Sequence, residues 1–148
     1  MSEYLKDPMI LRQIIMDHYQ NPRHHKLVGG KYSMVHMASE SCIDDIKVEA
    51  LIEDGIIKDI NFDGVACTLS TASTSIMTDL LRNKTTKEAK EIIHAYYEMI
   101  AGNGYDEDVL QEAVAFQNTY KQANRIKCAT IGWKAMDELI EESEKAHE

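Results

Sequence analysis

The sequence predicts an α+β fold, a small three-stranded antiparallel sheet packed against several helices. Three observations predict it. Residues Ile43 to Glu53 alternate with period two, so Ile46, Val48, Ala50 and Ile52 share one face and Asp45, Lys47, Glu49 and Glu53 the other. Asp54-Gly55 follows as a two-residue hairpin signal, and a second strand, Ile56 to Phe62, returns antiparallel. On both sides of this hairpin the apolar residues recur at helical spacing. Helices set apart in sequence from an antiparallel sheet make an α+β plan.

The elements follow in order. Asp7-Pro8 opens a helix, with Asp7 as N-cap and Pro8 at the first helical position. Leu11, Ile14, Ile15, His18 and Tyr19 form its stripe, and Asn21-Pro22 stops it, because the residue before proline is pushed out of the helical region. Arg23-His24-His25-Lys26 is a basic patch in an acidic chain, either a solvated loop or a docking contact. Gly29-Gly30 makes a turn before the remaining strand, Lys31 to Ala38. A helix of small polar residues spans Leu69 to Arg82, with Leu69, Ala72, Ile76 and Leu80 on one side and Asn83 as its stop. Thr85 and Glu88 form a capping box for the next helix, which carries Ala89, Ile92, Ile93, Tyr96, Met99 and Ile100 and ends at Gly102. From about 103 to 124 the pattern weakens. Asp106-Glu107-Asp108 can cap a short helix with Val109, Leu110, Ala113 and Val114 in what reads as an insertion. The last helix starts near Ile126 or Lys127, places Cys128 in its first turn and buries Ala129, Trp133, Met136 and Ile140.

At 148 residues the chain reads as one domain, 1–148. A net charge of −9 argues against nucleic acid, since phosphate binding needs a basic surface. No apolar run approaches a membrane span. The first residues lack the apolar core of a signal peptide, so the expected setting is the cytoplasm. Three cysteines in a reducing compartment are not a disulfide framework, and an odd number closes none.

Those cysteines carry the chemistry. Cys42 stands at the entry to a strand, Cys67 at a strand-to-helix turn, and Cys128 at the predicted start of a helix. Cys42 lies 12 positions before Asp54 and Cys67 lies 12 after Gly55, so a symmetric hairpin brings both thiols to one end of the sheet. The strand period puts Asp44 on the same face as Cys42, with Asp45 pointing the other way. Helix N-termini favour thiolates, which suits metal binding or nucleophilic sulfur. Three thiolates and the Asp44 carboxylate complete a tetrahedral set that fits zinc. Iron–sulfur clusters also use thiolates, and spacing does not choose between them. A lone cysteine is ordinarily a small core hydrophobe. His18, His36 and His94 fall on helix or strand patterns and read as structural.

At these residues the chain resembles the U-type iron–sulfur cluster assembly family, in its SufU branch rather than its IscU branch. Ile14-Ile15-Met16-Asp17-His18-Tyr19-Gln20-Asn21-Pro22-Arg23 looks like the family's first helix and exit, Cys42-Ile43-Asp44 like its Cys-Gly-Asp, and Gly64-Val65-Ala66-Cys67 like its second-cysteine loop. Arg125-Ile126-Lys127-Cys128-Ala129-Thr130, followed by Trp133-Lys134-Ala135, is similar to its third-cysteine helix. The insertion, and Lys127 where the IscU branch has histidine, select the branch.

The resemblance implies a SufE/NifU-like fold and a Zn²⁺ site made of Cys42, Asp44, Cys67 and Cys128. It implies a sulfurtransferase-like activity: Cys42 accepts persulfide sulfur from a SufS-type cysteine desulfurase for downstream Suf cluster-assembly components. Arg125 matches a residue associated with the site. Two further readings stand beside this one, a scaffold on which an iron–sulfur cluster is built and a zinc-stabilised interaction protein without sulfur chemistry. Ile43 and Ala66 replace family glycines beside the site, and they are where this member is expected to differ.

Overall fold

The computed structural model describes residues 6–39 and 43–146. Cys42 lies outside the described residues. The order is helix α1 (Pro8–Gln20), strands β1 (Ser33–Ala38), β2 (Asp45–Glu53) and β3 (Ile56–Val65), then helices α2 (Thr68–Leu81), α3 (Thr86–Ile100), α4 (Glu107–Leu110) and α5 (Ala123–Ala146). Short 3₁₀ segments, Gln111–Phe116 and Thr119–Lys121, join α4 to α5. The three strands form one antiparallel sheet in the order β1-β2-β3.

Local chemistry sets the element ends. Asp7 caps α1, its carboxylate accepting from the Met9 N–H. Thr85 and Glu88 form the reciprocal capping box of α3. Asp54 and Gly55 both adopt positive φ, 54° and 72°, the conformation that a two-residue hairpin turn requires. One face of the sheet buries Ile46, Val48, Ala50, Ile57, Ile60 and Phe62. Helix α5 lies across β1 and β2 on this face, α2 packs on α5 and β3, and α1 packs on α2.

The hairpin departs from symmetric pairing. Glu53 pairs with Ile56 and Ile52 with Ile57, but Leu51 pairs with Asp59, leaving Lys58 as the extra residue of a β-bulge. Beyond it the register is shifted by one, and the ladder ends with Asp45 opposite Val65. The bulge also reverses the parity of β3, which keeps both Ile57 and Ile60 in the core.

The other sheet face is not simply solvated. Glu49 is 2% exposed. Its carboxylate accepts from the Val28 and Gly29 N–H groups at 2.8 and 3.0 Å and from Asn61 Nδ2 at 2.8 Å, fastening the loop after α1 over the sheet. Three of the four residues in the basic patch of that loop are paired internally. Arg23 pairs with Asp17, His24 with Asp79, and His25 with Asp63.

The small residues of α2 serve packing. Ser70 through Thr78 are all buried. A Cβ added at Gly132 of α5 would stand 2.3 Å from Thr74 Oγ1, so the two helices approach as closely as glycine allows. Ser75 accepts from the Arg23 N–H at 2.8 Å and bonds His18 Nδ1 at 2.8 Å. His18, fully buried, also reaches Glu112 at 3.3 Å, tying α1 to the segment before α5. In that segment Asp106 caps α4, and Leu110, Ala113 and Val114 are buried.

Candidate metal centre

At the end of the β2–β3 ladder the chain leaves the sheet on both strands. Asp44 immediately precedes β2 on the face that carries Ile46 and Val48, and it is 1% exposed. Asp45 faces outward and is held by His36. Cys67 is the N-cap of α2, with extended backbone, and its sulfur accepts from the Ser70 N–H at 3.4 Å. The positive end of the α2 dipole is therefore directed at the Cys67 sulfur. The shifted register brings these two residues together. The Cys67 N–H donates to Asp44 Oδ1 at 2.8 Å, and the Ser70 hydroxyl donates to Asp44 Oδ2. Both carboxylate oxygens are thus oriented by α2.

Cys128 arrives from α5. The helix begins at Ala123, about one turn earlier than the sequence predicts, so Cys128 lies in its second turn and not at its N-terminus. Its position is fixed by the next residue. The Ala129 carbonyl accepts from Ser73 Oγ and from the Tyr96 hydroxyl, each at 2.7 Å. Ser73 in turn accepts from Trp133 Nε1 at 2.9 Å, and Tyr96 stacks on Trp133 with centroids 3.8 Å apart. A carbonyl inside a helix that accepts two side-chain donors holds its turn in one place, and the Cys128 thiol with it.

The ligand atoms of Asp44, Cys67 and Cys128 all lie within 4.8 Å of one another. A tetrahedral zinc, with about 2.3 Å to sulfur and about 2.1 Å to oxygen, sets donor separations of about 3.5 to 3.8 Å. The present spread is close to that. Burial pushes the Cys128 thiol well above its usual value, and the Cys67 sulfur and the Asp44 carboxylate raise it further. Two soft sulfurs and an anionic oxygen that crowd each other in this way fit a dication, which favours the thiolate form that the bare site disfavours.

Of the residues singled out in the sequence, the structure brings Asp44, Cys67 and Cys128 together, and Cys42 lies outside the described residues. Arg125 is exposed in the first turn of α5 and lines a groove with Thr68 and Leu69, beside the start of α2. Ile43 and Val65, each 65% exposed, flank the site on its outer side. Sequence reasoning placed Tyr96 and Trp133 on apolar helix faces and gave them, like Ser70 and Ser73, no part in holding the site. For Ser70 a signal existed, since it stands three residues after the helix-capping Cys67.

The family model described as NifU-like N terminal domain matches residues 10–145. The chain belongs to that family. This NifU-like domain is 34% identical to the zinc-dependent sulfurtransferase SufU of Bacillus subtilis over 136 residues, 91% of this chain and 92% of the relative. It is also 34% identical to the iron–sulfur cluster assembly scaffold protein IscU of Streptococcus pyogenes serotype M1, over 90% of this chain and 84% of the relative. A solved structure described as an iron–sulfur cluster assembly scaffold protein for the SUF system, from Fervidobacterium islandicum AW-1, superposes with a TM-score of 0.81 at 28% identity, covering 88% of this chain and 96% of that one. The NifU-like N-terminal protein of Brucella abortus shares the fold, with a TM-score of 0.84 over 95% of this chain and 98% of that one at 19% identity.

Proposed function

We propose that this NifU-like domain is a zinc-binding sulfur acceptor. It takes persulfide sulfur from a SufS-type cysteine desulfurase in the cytoplasm and passes it to cluster-assembly components. The observation that carries this reading is the convergence of Asp44, Cys67 and Cys128 on one point. Cys42, two residues before Asp44, completes the proposed ligand set and is the proposed acceptor. Zinc, when bound, holds its cysteine ligands as thiolates at neutral pH.

The transfer is a thiol exchange. The Cys42 thiolate attacks the terminal sulfur of a persulfide on the partner. That persulfide's S–S bond breaks, its electron pair leaves with the partner's thiolate, and a new S–S bond makes the Cys42 persulfide. No external oxidant or reductant is consumed. Asp44 is held by the Cys67 N–H and by Ser70, so it keeps its place when Cys42 is engaged elsewhere. The segment from about 103 to 124 is part of the proposal as a branch-specific insertion.

The test is a desulfurase assay with cysteine as substrate. Added wild-type protein raises turnover, and Cys42→Ala abolishes the increase. If neither protein changes turnover, the sulfur-acceptor reading is wrong and a zinc-stabilised interaction protein takes its place. The scaffold reading is favoured by the name of the Streptococcus relative. It is separated by metal and sulfide analysis of protein purified without oxygen. About one zinc per chain and no sulfide supports transfer, while a coloured, labile iron–sulfide species supports the scaffold.

A further inference from the structure

A groove of about 430 Å³ runs between α1, the start of α2 and the chain leading into α5. Leu11, Ile15, Leu69 and Ala115 supply apolar lining, and Arg12 and Arg125 also line it. Among the described residues no Asp or Glu lines it. The chain has 25 acidic residues against 16 basic ones and only four arginines. Arg23 pairs with Asp17 and Arg82 with Asp59. The two arginines that form no ion pair among the described residues, Arg12 and Arg125, come from opposite ends of the chain and converge on this groove. In so acidic a protein, two guanidinium groups that pair with no described carboxylate are available to a carboxylate from outside.

We infer that this groove docks a segment of the sulfur-donating partner in which one or two carboxylates flank an apolar side chain. The inference rests on the proposed function and adds the place and chemistry of contact. The apolar lining takes the side chain, and each arginine takes a carboxylate in the bidentate geometry that lysine does not offer. Thr68 and Leu69 follow Cys67 directly and form the groove's edge, so a segment seated there is held beside the metal centre. On the other side of Cys128, Lys127 and Lys134 line a second groove that has no acidic residue among the described residues. The first half of α5 therefore presents Arg125, Lys127 and Lys134 beside the metal centre, although the chain as a whole carries −9.

The experiment titrates zinc-loaded full chain against a full-length cysteine desulfurase at low and at physiological salt. Wild type, Arg12→Glu, Arg12→Lys and Arg125→Glu are compared with Lys58→Glu, an exposed control on β3 at the opposite end of the sheet from the metal centre. The expected result is an affinity loss of about tenfold or more for Arg12→Glu and Arg125→Glu and a smaller loss for Arg12→Lys, each shrinking as salt rises. Lys58→Glu binds as wild type does. Zinc content and Tm of Arg12→Glu stay at wild-type values, which shows that the site and fold are intact. Wild-type affinity for Arg12→Glu, or an equal loss for Lys58→Glu, overturns the docking site and leaves the proposed function standing. A wild type that does not associate with the desulfurase overturns both.

Discussion

The backbone N–H of Cys67 donates to Oδ1 of Asp44 at 2.8 Å. A thiol and a carboxylate separated by 23 residues are thereby coupled through the backbone as well as through any shared ion. Asp44→Ala removes a proposed ligand and also strands that part-buried N–H. We expect two separable effects, a folding loss of about 1–3 kcal/mol without metal and a large fall in zinc affinity. Chelator competition and chemical denaturation of the metal-free protein measure them independently. Wild-type zinc affinity in the variant would remove Asp44 from the ligand set.

Ser70→Ala tests the orientation of the proposed ligands, because the Ser70 hydroxyl donates to Asp44 and also meets the Cys67 sulfur at 3.4 Å. Supporting hydrogen bonds of this kind change metal affinity by about 10- to 100-fold. We expect zinc binding weakened within that range at unchanged stoichiometry, read by competition with a chromophoric chelator. Ser70→Thr keeps the donor but adds a methyl in a fully buried place, so it should recover only part of the loss.

The contact between Gly132 and Thr74 sets the spacing of the helices that carry Cys128 and Cys67. Gly132→Ala places a methyl 2.3 Å from Thr74 Oγ1. Overpacking of this kind costs about 1–3 kcal/mol, more than the gain of about 1 kcal/mol expected from alanine's helix propensity. Tm should fall, and zinc affinity should fall with it as the two sulfurs are pushed apart. Thr74→Ala in the same chain removes the crowding hydroxyl and methyl, and the hydroxyl has no hydrogen-bond partner to lose. The double variant should therefore recover part of both quantities. A Tm unchanged in the single variant would show that the helices separate freely.

Asp59 supplies a pH dependence far from the metal centre. Burial alone raises its carboxyl, but hydrogen bonds from Tyr32 and the Arg82 charge outweigh that and hold it below the usual value of 3.8. A carboxyl depressed in the folded state stabilises above its unfolded pKa, and that stability is lost as pH falls through the folded value. Tm measured between pH 7 and pH 2 should drop below about pH 4. The drop should be shallower in Asp59→Asn, which lacks the titrating group. Parallel curves for the two proteins would assign the acid sensitivity elsewhere, with Asp17 beside Arg23, Glu88 bonded to Thr85 and Glu112 beside His18 as further depressed carboxyls.

Much of the fold was legible where a single residue does local work. Asp7-Pro8, Asp54-Gly55 and the Thr85/Glu88 box each fix an element end through their own backbone or the next turn. The start of α5 was not legible, because Ala123 and Asn124 carry no capping pattern and, both being exposed, extend no apolar period into the first turn. Glu49 reads as solvated on alternation alone, and only the distant loop at Val28 and Gly29 makes it a buried acceptor. The small polar residues of α2 have no evident task in the sequence, whereas the hydroxyls of Ser73 and Ser75 join it to α1, α3 and α5. At the site, the alternation put Asp44 on the correct face, but the symmetric register was off by one. The clue lay in Ile57, Lys58, Asp59 and Ile60, where the apolar period breaks.

That broken period matters beyond the strand that contains it. Lys58 is exposed near the hairpin tip, yet removing it would slip every pairing between the tip and the end of the ladder by one position. The site sits at the far end and would inherit the whole error, with a different residue facing Cys67 in place of Asp44. The hairpin thus acts as a counting device, in which one surplus residue at its tip decides which side chain is delivered to the chemistry at its base.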